Sequence, residues 1–362
     1  MSREKSAERP LPESKKQVLS RMVDFGERVY SQMAKGEFPW IEMPSRSTDN
    51  IVYDPKLRQY VLAGRKVRRS TSNIKHLRPF TFLVWAAYFT SELVKQWRTT
   101  TLRDVYYSAQ AYGLSFRDQQ ESNNIIVDLE TVLGVPREDF NVYPEERSAI
   151  YGDLTVEYTV PKYEGRRLNL TSHPDGMMIG PALTNAKFVE TSADKVIAIE
   201  KGGLFTRFIE EEVHKKYNAI LIHTAGQAPR ATRRFIRRLN EELGLPVYIL
   251  TDGDPWGMHI AMVIISGSAE AAHITGLNTP DAKWIGVWGS DIVEYKLPSD
   301  PLTERDIKRL HELRNDPRYK GELWQREIEV FLEIKRKSEL EAFSRYGLTY
   351  IVDEYLPAKL EE

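Results

Sequence analysis

The sequence predicts a multidomain α/β protein in which a helical domain precedes a parallel sheet covered by helices. Three observations carry this. Segments with apolar residues at helical intervals follow one another between Phe80 and Leu133. From Lys187 onward, short apolar strands alternate with helical segments, the pattern of a parallel sheet. Two of those strands end abruptly in acid and glycine, as Glu200-Lys201-Gly202-Gly203 and as Asp252-Gly253-Asp254-Pro255-Trp256-Gly257. Buried parallel strands look like this, and their C-terminal ends face the crevice where open α/β sheets bind ligands.

The 362 residues suit two or three domains with real cores. Fifty-one basic and 52 acidic residues nearly cancel, to a net charge of −1. Bulk charge therefore does not announce a nucleic-acid binder, and any such surface must be a local patch. Cysteine is absent, which excludes disulfides and thiolate zinc sites. No apolar run reaches the roughly 18 residues of a membrane span, and the polar N-terminus does not read as a signal peptide. The expectation is a soluble, cytoplasmic protein. No Gly-x-x-x-x-Gly-Lys-Ser/Thr loop occurs to cradle a triphosphate.

In chain order, residues 1–16 are charged, contain Pro10 and Pro12, and read as a mobile tail. Residues 17–34 have helical spacing, and 51–53 with 60–62 form a strand pair around Asp54-Pro55. The basic run 64–69 reads equally as a solvated charge run and as a phosphate contact. A strongly apolar helix spans 80–97. A second helix covers 101–108, with Thr99, Thr100 or Thr101 as its hydroxyl cap. A third covers 122–133, stopped by Gly134 and Pro136. With short alternating stretches at 148–152 and 155–160, the three helices read as a winged helix. Gln119, Gln120, Asn123 and Asn124 then either face a DNA groove or simply open the third helix. Residues 161–185 read as a linker with a short sheet extension. The sheet domain follows with strands at 196–199, 219–223, 247–250, 272–274 and 284–288, and helices at 204–216, 231–243 and from Trp256. Between the acidic motifs, Arg230, Arg233, Arg234, Arg237 and Arg238 form the densest basic stretch, either a phosphate path or a surface helix. His223 reads as a strand-end residue and not a ligand. Residues 303–360 read as two charged amphipathic helices. The resulting division is 1–70, 71–160, 161–186 and 187–362.

Two constellations carry chemistry. Glu200, Asp252 and Asp254 converge from two strand ends, and oxygen ligands without Cys or His suit Mg²⁺. Taken alone, acids at strand ends are more often structural or solvated. In Arg103-Asp104-Val105-Tyr106-Tyr107, Arg103 and Tyr107 are four apart and share a helix face. A tyrosine hydroxyl, with a reference pKa near 10, attacks phosphorus only if its oxyanion is stabilised. A guanidinium one turn away does that and also holds a phosphate oxygen. Taken alone, such tyrosine pairs more often pack as core and rim.

The strand-Glu-Gly paired with a downstream strand-Asp-x-Asp resembles the Toprim metal site of topoisomerases and bacterial primases. Asp-Gly-Asp-Pro-Trp-Gly followed by Met258-His259-Ile260 is similar to the A subunits of DNA topoisomerase VI. Arg-Asp-Val-Tyr-Tyr resembles the nucleophile motif those subunits share with the proteins that make meiotic double-strand breaks. The resemblance runs from about Thr71 to the C-terminus. It implies a winged-helix, catabolite-activator-like DNA-binding domain followed by a Toprim domain. It implies that Tyr107 is the nucleophile with Tyr106 as its packing neighbour, that Arg103 supports the oxyanion, and that Glu200, Asp252 and Asp254 hold Mg²⁺. It further implies a type IIB topoisomerase cutting double-stranded DNA through a 5′-phosphotyrosyl link. The expected assembly is a homodimer within an A2B2 heterotetramer, nucleoid-associated, with Tyr107 of one protomer working beside the acids of the other. The B subunit would bind ATP and contact the region 1–70.

Overall fold

The computed structural model of the chain describes residues 11–361. Most of the expected mobile tail, residues 1–10, lies outside the described residues. Two compact units emerge, one from residues up to Asn50 together with Leu62–Glu145, the other from Ile51–Val61 together with the chain from Glu146 onward. No helix among the described residues is long and apolar enough to cross a membrane.

In the first unit, α1 (Glu13–Ala34) begins four residues earlier than its apolar spacing suggests. Pro12 at the N-cap accounts for this, because proline tolerates a helix start and Glu13 favours the first turn. Val18, Met22, Phe25 and Val29 are buried, one per turn. Strand β1 (Trp40–Pro44) pairs antiparallel with β2 (Lys66–Ser70), Trp40 opposite Ser70. Helix α2 (Ile74–Lys95) is capped by Asn73 and starts well before Phe80. Helix α3 (Leu102–Ser108) and α4 (Gln119–Leu133) follow, α4 capped by Asp118 and ended by Gly134 at φ +65°. Leu83, Ala86, Val105, Ile126, Leu129 and Phe140 form the centre of this unit's core, each fully buried.

The basic run 64–69 is largely exposed and takes acidic partners within its own unit. Lys66 pairs with Glu42 at 3.0 Å, Arg65 with Asp49, and Arg69 with Asp128, which also takes Arg46 at 2.8 Å. Arg68 lies over the Trp40 ring, 4.0 Å from its centre. Arg69 thereby ties β2 to α4, while Arg65, Lys66 and Arg68 stay exposed to solvent.

The wing expected at 148–160 does not form as a hairpin of the helical unit. Strand β3 (Ala149–Tyr151) and β4 (Leu154–Glu157) both belong to the second unit and to different sheets. Strand β4 sits between β5 (Arg167–Asn169) and β7 (Lys187–Thr191), while β6 (Met177–Met178) pairs with β3. Ile150, Leu154 and Val156 are fully buried in the larger core, and that burial outweighs local hairpin preference. The strand pair Ile51–Asp54 and Gln59–Leu62 forms as expected but also serves this unit. Ser266 Oγ donates to the Arg58 carbonyl at 2.6 Å, and Tyr60 Oη donates to Asp316 at 3.2 Å.

The main sheet of the second unit is built on β8 (Lys195–Ile199), β9 (Ala219–His223), β10 (Val247–Leu250) and β11 (Lys283–Gly286), all parallel. Its spatial order is β6-β3-β9-β8-β10-β11, so β3 and β6 add an antiparallel edge. Strand β8 is central, its Ile199 in register with both His223 and Leu250. The connections include α5 (Gly202–Glu210), α6 (Arg230–Leu243) and α7 (Pro255–Ser266), with α8 (Glu304–Asn315) and α9 (Glu322–Ile334) following. The helix expected over 204–216 breaks where Glu212 takes φ +52°. The strand expected at 272–274 is absent; a 3₁₀ turn at Ala269–Ala271 leads into that stretch, and Ala272 and Ile274 are buried without pairing.

Candidate active site

The tyrosine helix is short but firmly started. Thr101 and Asp104 form a reciprocal cap: Asp104 N–H donates to Thr101 Oγ1, and Thr101 N–H donates to Asp104 Oδ2, each at 3.1 Å. Val105 anchors the helix from below, fully buried. Tyr106 turns inward and stacks on Phe116 at 6.1 Å between ring centres. Tyr107 is 55% exposed, packed edge-on against Tyr106 at 5.1 Å. Its hydroxyl makes no hydrogen bond among the described residues. Arg103 is exposed on the same helix, one turn earlier, and also makes none. Tyr106 thus packs inward while Tyr107 faces outward. Gln119 donates to the Leu102 carbonyl at 3.0 Å, tying α4 to α3, and to Asn123 Oδ1 at 2.9 Å within α4.

The acids lie in the second unit at the ends of adjacent strands. Glu200 follows β8 directly, and its backbone N–H donates to Leu250 O at 3.0 Å, continuing the parallel ladder. Asp252 N–H then donates to Glu200 Oε2 at 3.0 Å, which fixes the two acidic segments against each other. Asp254 caps α7, its Oδ1 accepting from Trp256 N at 2.9 Å and Gly257 N at 2.7 Å. Gly257 permits the tight turn: a Cβ there would come within 2.1 Å of the Asp252 carbonyl oxygen.

Crowding shows in the acidities. Burial, joined by the charges of Asp252 and Asp254, pushes Glu200 up to about 7. Burial likewise raises Asp254, with the Asp252 charge adding to it. A cation already stands here: Lys201 Nζ is 3.0 Å from Asp252 Oδ2, with Glu339 at 3.7 Å and Glu341 at 3.8 Å. Asp252 Oδ1 accepts from Leu340 N at 3.0 Å. No three acidic or imidazole side chains among the described residues close on a common point. The donor set nonetheless fits a hard divalent cation, which takes oxygen ligands and would offset both the burial and the neighbouring charges that raise Glu200.

Two family models match the chain. One is the Toprim domain shared by Spo11 and the topoisomerase 6 A subunits, over residues 195–360; the other is type IIB DNA topoisomerase, over residues 78–142. The chain is 46% identical over 346 residues to the A subunit of type 2 DNA topoisomerase 6 from Methanothermobacter thermautotrophicus, covering 95% of this chain and 97% of that one. It is 37% identical over 361 residues to the corresponding protein of Archaeoglobus fulgidus, covering 97% and 99%. Against that of Methanosarcina barkeri it is 37% identical over 350 residues, covering 94% of each. The chain belongs to the family of topoisomerase 6 A subunits.

The Toprim match begins at the first residue of β8 and contains all three acids. The type IIB topoisomerase match contains Arg103, Tyr106 and Tyr107. Sequence reasoning passed over Lys201, although it stands inside the quoted Glu-Lys-Gly-Gly, because a lysine beside an acid carries no signal of its tertiary partner. It also passed over Asp306 and Lys337, which pair at 2.9 Å and reach the site only through the fold. The arginines of α6 divide. Arg237 bonds the Asn278 carbonyl at 3.0 Å, Arg238 the Thr184 carbonyl at 2.9 Å, and each pairs with a glutamate one turn on, so these two are structural. His223 stacks on Phe205 at 5.8 Å, and burial lowers its pKa.

Proposed function

We propose that this topoisomerase 6 chain performs the DNA cleavage of a type IIB enzyme with Tyr107 as nucleophile. The observation that carries the assignment is the exposed, unbonded hydroxyl of Tyr107 beside an inward-packed Tyr106. The Tyr107 oxygen attacks a backbone phosphorus of double-stranded DNA. The bond from phosphorus to the 3′-oxygen breaks, leaving a 5′-phosphotyrosyl link and a 3′-hydroxyl once the leaving oxygen takes a proton. One phosphate ester replaces another, so the 3′-hydroxyl can reverse the step without an added cofactor. Arg103, one turn from Tyr107, holds a phosphate oxygen and favours the tyrosyl oxyanion.

Glu200, Asp252 and Asp254 are the residues that would hold Mg²⁺. When bound, the ion supplies positive charge at the phosphate and the leaving oxygen. Cutting both strands requires two tyrosines, hence a homodimer whose two-fold axis matches that of duplex DNA. Two copies of this chain with two ATP-binding B subunits account for strand passage.

The test is plasmid relaxation by this chain alone, by the B subunit alone and by both together, each with and without ATP. Relaxation that requires both proteins, ATP and Mg²⁺ supports the assignment. Relaxation by this chain alone would overturn the type IIB reading. Covalent cleavage without relaxation in the complete mixture would point to a break-forming protein.

A further inference from the structure

Trp256 is tied to the acidic site through its own backbone, whose N–H donates to Asp254 Oδ1 at 2.9 Å. Its indole is also fixed at one edge, because Nε1–H donates to Asp306 Oδ1 at 3.1 Å. Asp306 cannot swing away. Its Oδ2 accepts from Thr303 N at 3.0 Å, from Thr303 Oγ1 at 2.8 Å and from Lys337 Nζ at 2.9 Å. The indole face is thus a fixed platform at the start of α7.

Two guanidinium groups of α8 lie over that platform, Arg305 at 4.9 Å and Arg309 at 5.4 Å from the ring centre. Their situations differ. Arg309 is half-buried and paired with Glu312 at 3.0 Å. Arg305 is exposed and makes no ion pair or hydrogen bond among the described residues. Its contact with the indole restrains a side chain that would otherwise sweep a wide volume. The effect is an uncompensated charge with its fork of N–H donors held in place. That geometry suits an oxyanion, and phosphate above all. Lys308 is exposed three residues further along α8, and Lys335 and Arg336 are exposed after α9.

We infer that Arg305, carried on the Trp256 ring, is a binding site for a DNA backbone phosphate next to the one held at Glu200, Asp252 and Asp254. A ligand that meets both a cluster of carboxylates with its cation and a free guanidinium beside it is a polyanion of linked phosphates. The inference rests on the DNA-cleavage reading above and adds a positioning residue to it. By anchoring the strand beside the acids, Arg305 fixes which phosphodiester faces them.

The test is duplex-DNA binding by the full-length chain, followed by fluorescence anisotropy in EDTA at several salt concentrations between about 50 and 200 mM. Each phosphate neutralised contributes about 0.9 to the slope of log affinity against log salt, so Arg305→Ala should flatten the slope by about that amount per protomer. Arg305→Lys keeps the charge and should keep the slope. A slope unchanged in Arg305→Ala, or an affinity loss without a slope change, overturns the phosphate site while the cleavage reading stands. Failure of the wild-type chain to bind duplex DNA at any of these salt concentrations overturns both.

Discussion

At the scale of single residues, the two tyrosines differ by one position and face opposite ways. Removing the exposed hydroxyl in Tyr107→Phe should abolish covalent DNA attachment, read as protein–DNA adducts trapped in detergent. Duplex binding should stay within about twofold, since surface substitutions cost little. Tyr106→Phe keeps the ring on Phe116 and should retain cleavage; a dead Tyr106 variant with an active Tyr107 variant would reverse the assignment. Glu200 gives a pH prediction. Its carboxyl titrates at about 7 in the folded chain because of burial and the neighbouring acids, against 4.5 ordinarily. The folded state therefore holds a proton that the unfolded state has lost between those values, and stability falls as pH rises through this window. The loss is of order 1–3 kcal/mol, complete above about pH 7, and absent in Glu200→Gln. Mg²⁺ competes with that proton, so it should raise Tm more at about pH 8 than at about pH 5. Thermal unfolding of both chains in EDTA and in Mg²⁺ checks this, and equal Mg²⁺ effects at the two pH values would remove Glu200 from the metal site.

At the scale of elements, the chemistry sits where helices start. Asp254 both caps α7 and faces the other acids, and the two roles separate by substitution. Asparagine caps as well as aspartate, so Asp254→Asn should fold with near-native stability yet lose Mg²⁺-dependent cleavage. Asp254→Ala should lose about 1 kcal/mol in addition. Cleavage by Asp254→Asn at wild-type Mg²⁺ levels would argue against its place among the ligands. Gly257 is the backbone's contribution: a Cβ 2.1 Å from the Asp252 carbonyl oxygen forces β10 and α7 apart. Gly257→Ala should cost about 1–3 kcal/mol or more and should blunt the Mg²⁺ response in Tm, because Asp252 moves with its carbonyl. The Thr101–Asp104 cap plays the same part for α3, starting a seven-residue helix too short to persist unaided.

At the scale of the whole molecule, Tyr107 and the acids lie in separate units of the chain. For the proposed homodimer, the expectation is that each site takes its tyrosine from one protomer and its acids from the other. Mixing Tyr107→Phe chains with Asp252→Asn chains tests this. A shared arrangement leaves one intact site per mixed dimer and should convert double-strand breaks into single-strand nicks in the presence of B subunit, ATP and Mg²⁺. A site built within one protomer leaves none intact, and the absence of nicks would exclude the shared arrangement. Agarose separation of nicked from linear plasmid gives the answer.

The sequence alone determined the parallel sheet, its three acids and the tyrosine helix. Their signals are local: apolar runs of strand length, an acid at a strand end, a hydroxyl before a helix. The charge pattern at 64–69 marked an exposed run but not its partners Glu42, Asp49 and Asp128, which the fold supplies. The apolar strands at 149–151 and 154–157 read as a wing because spacing says that they are strands, not which core they enter. Only the tertiary structure assigned them to the larger sheet unit, where Ile150, Leu154 and Val156 bury completely. Lys201 on Asp252, the inward turn of Tyr106 and Arg305 on the Trp256 ring were likewise decided by the fold. A side chain's neighbours depend on contacts between distant segments, and those contacts form only when burial of the whole core brings them together.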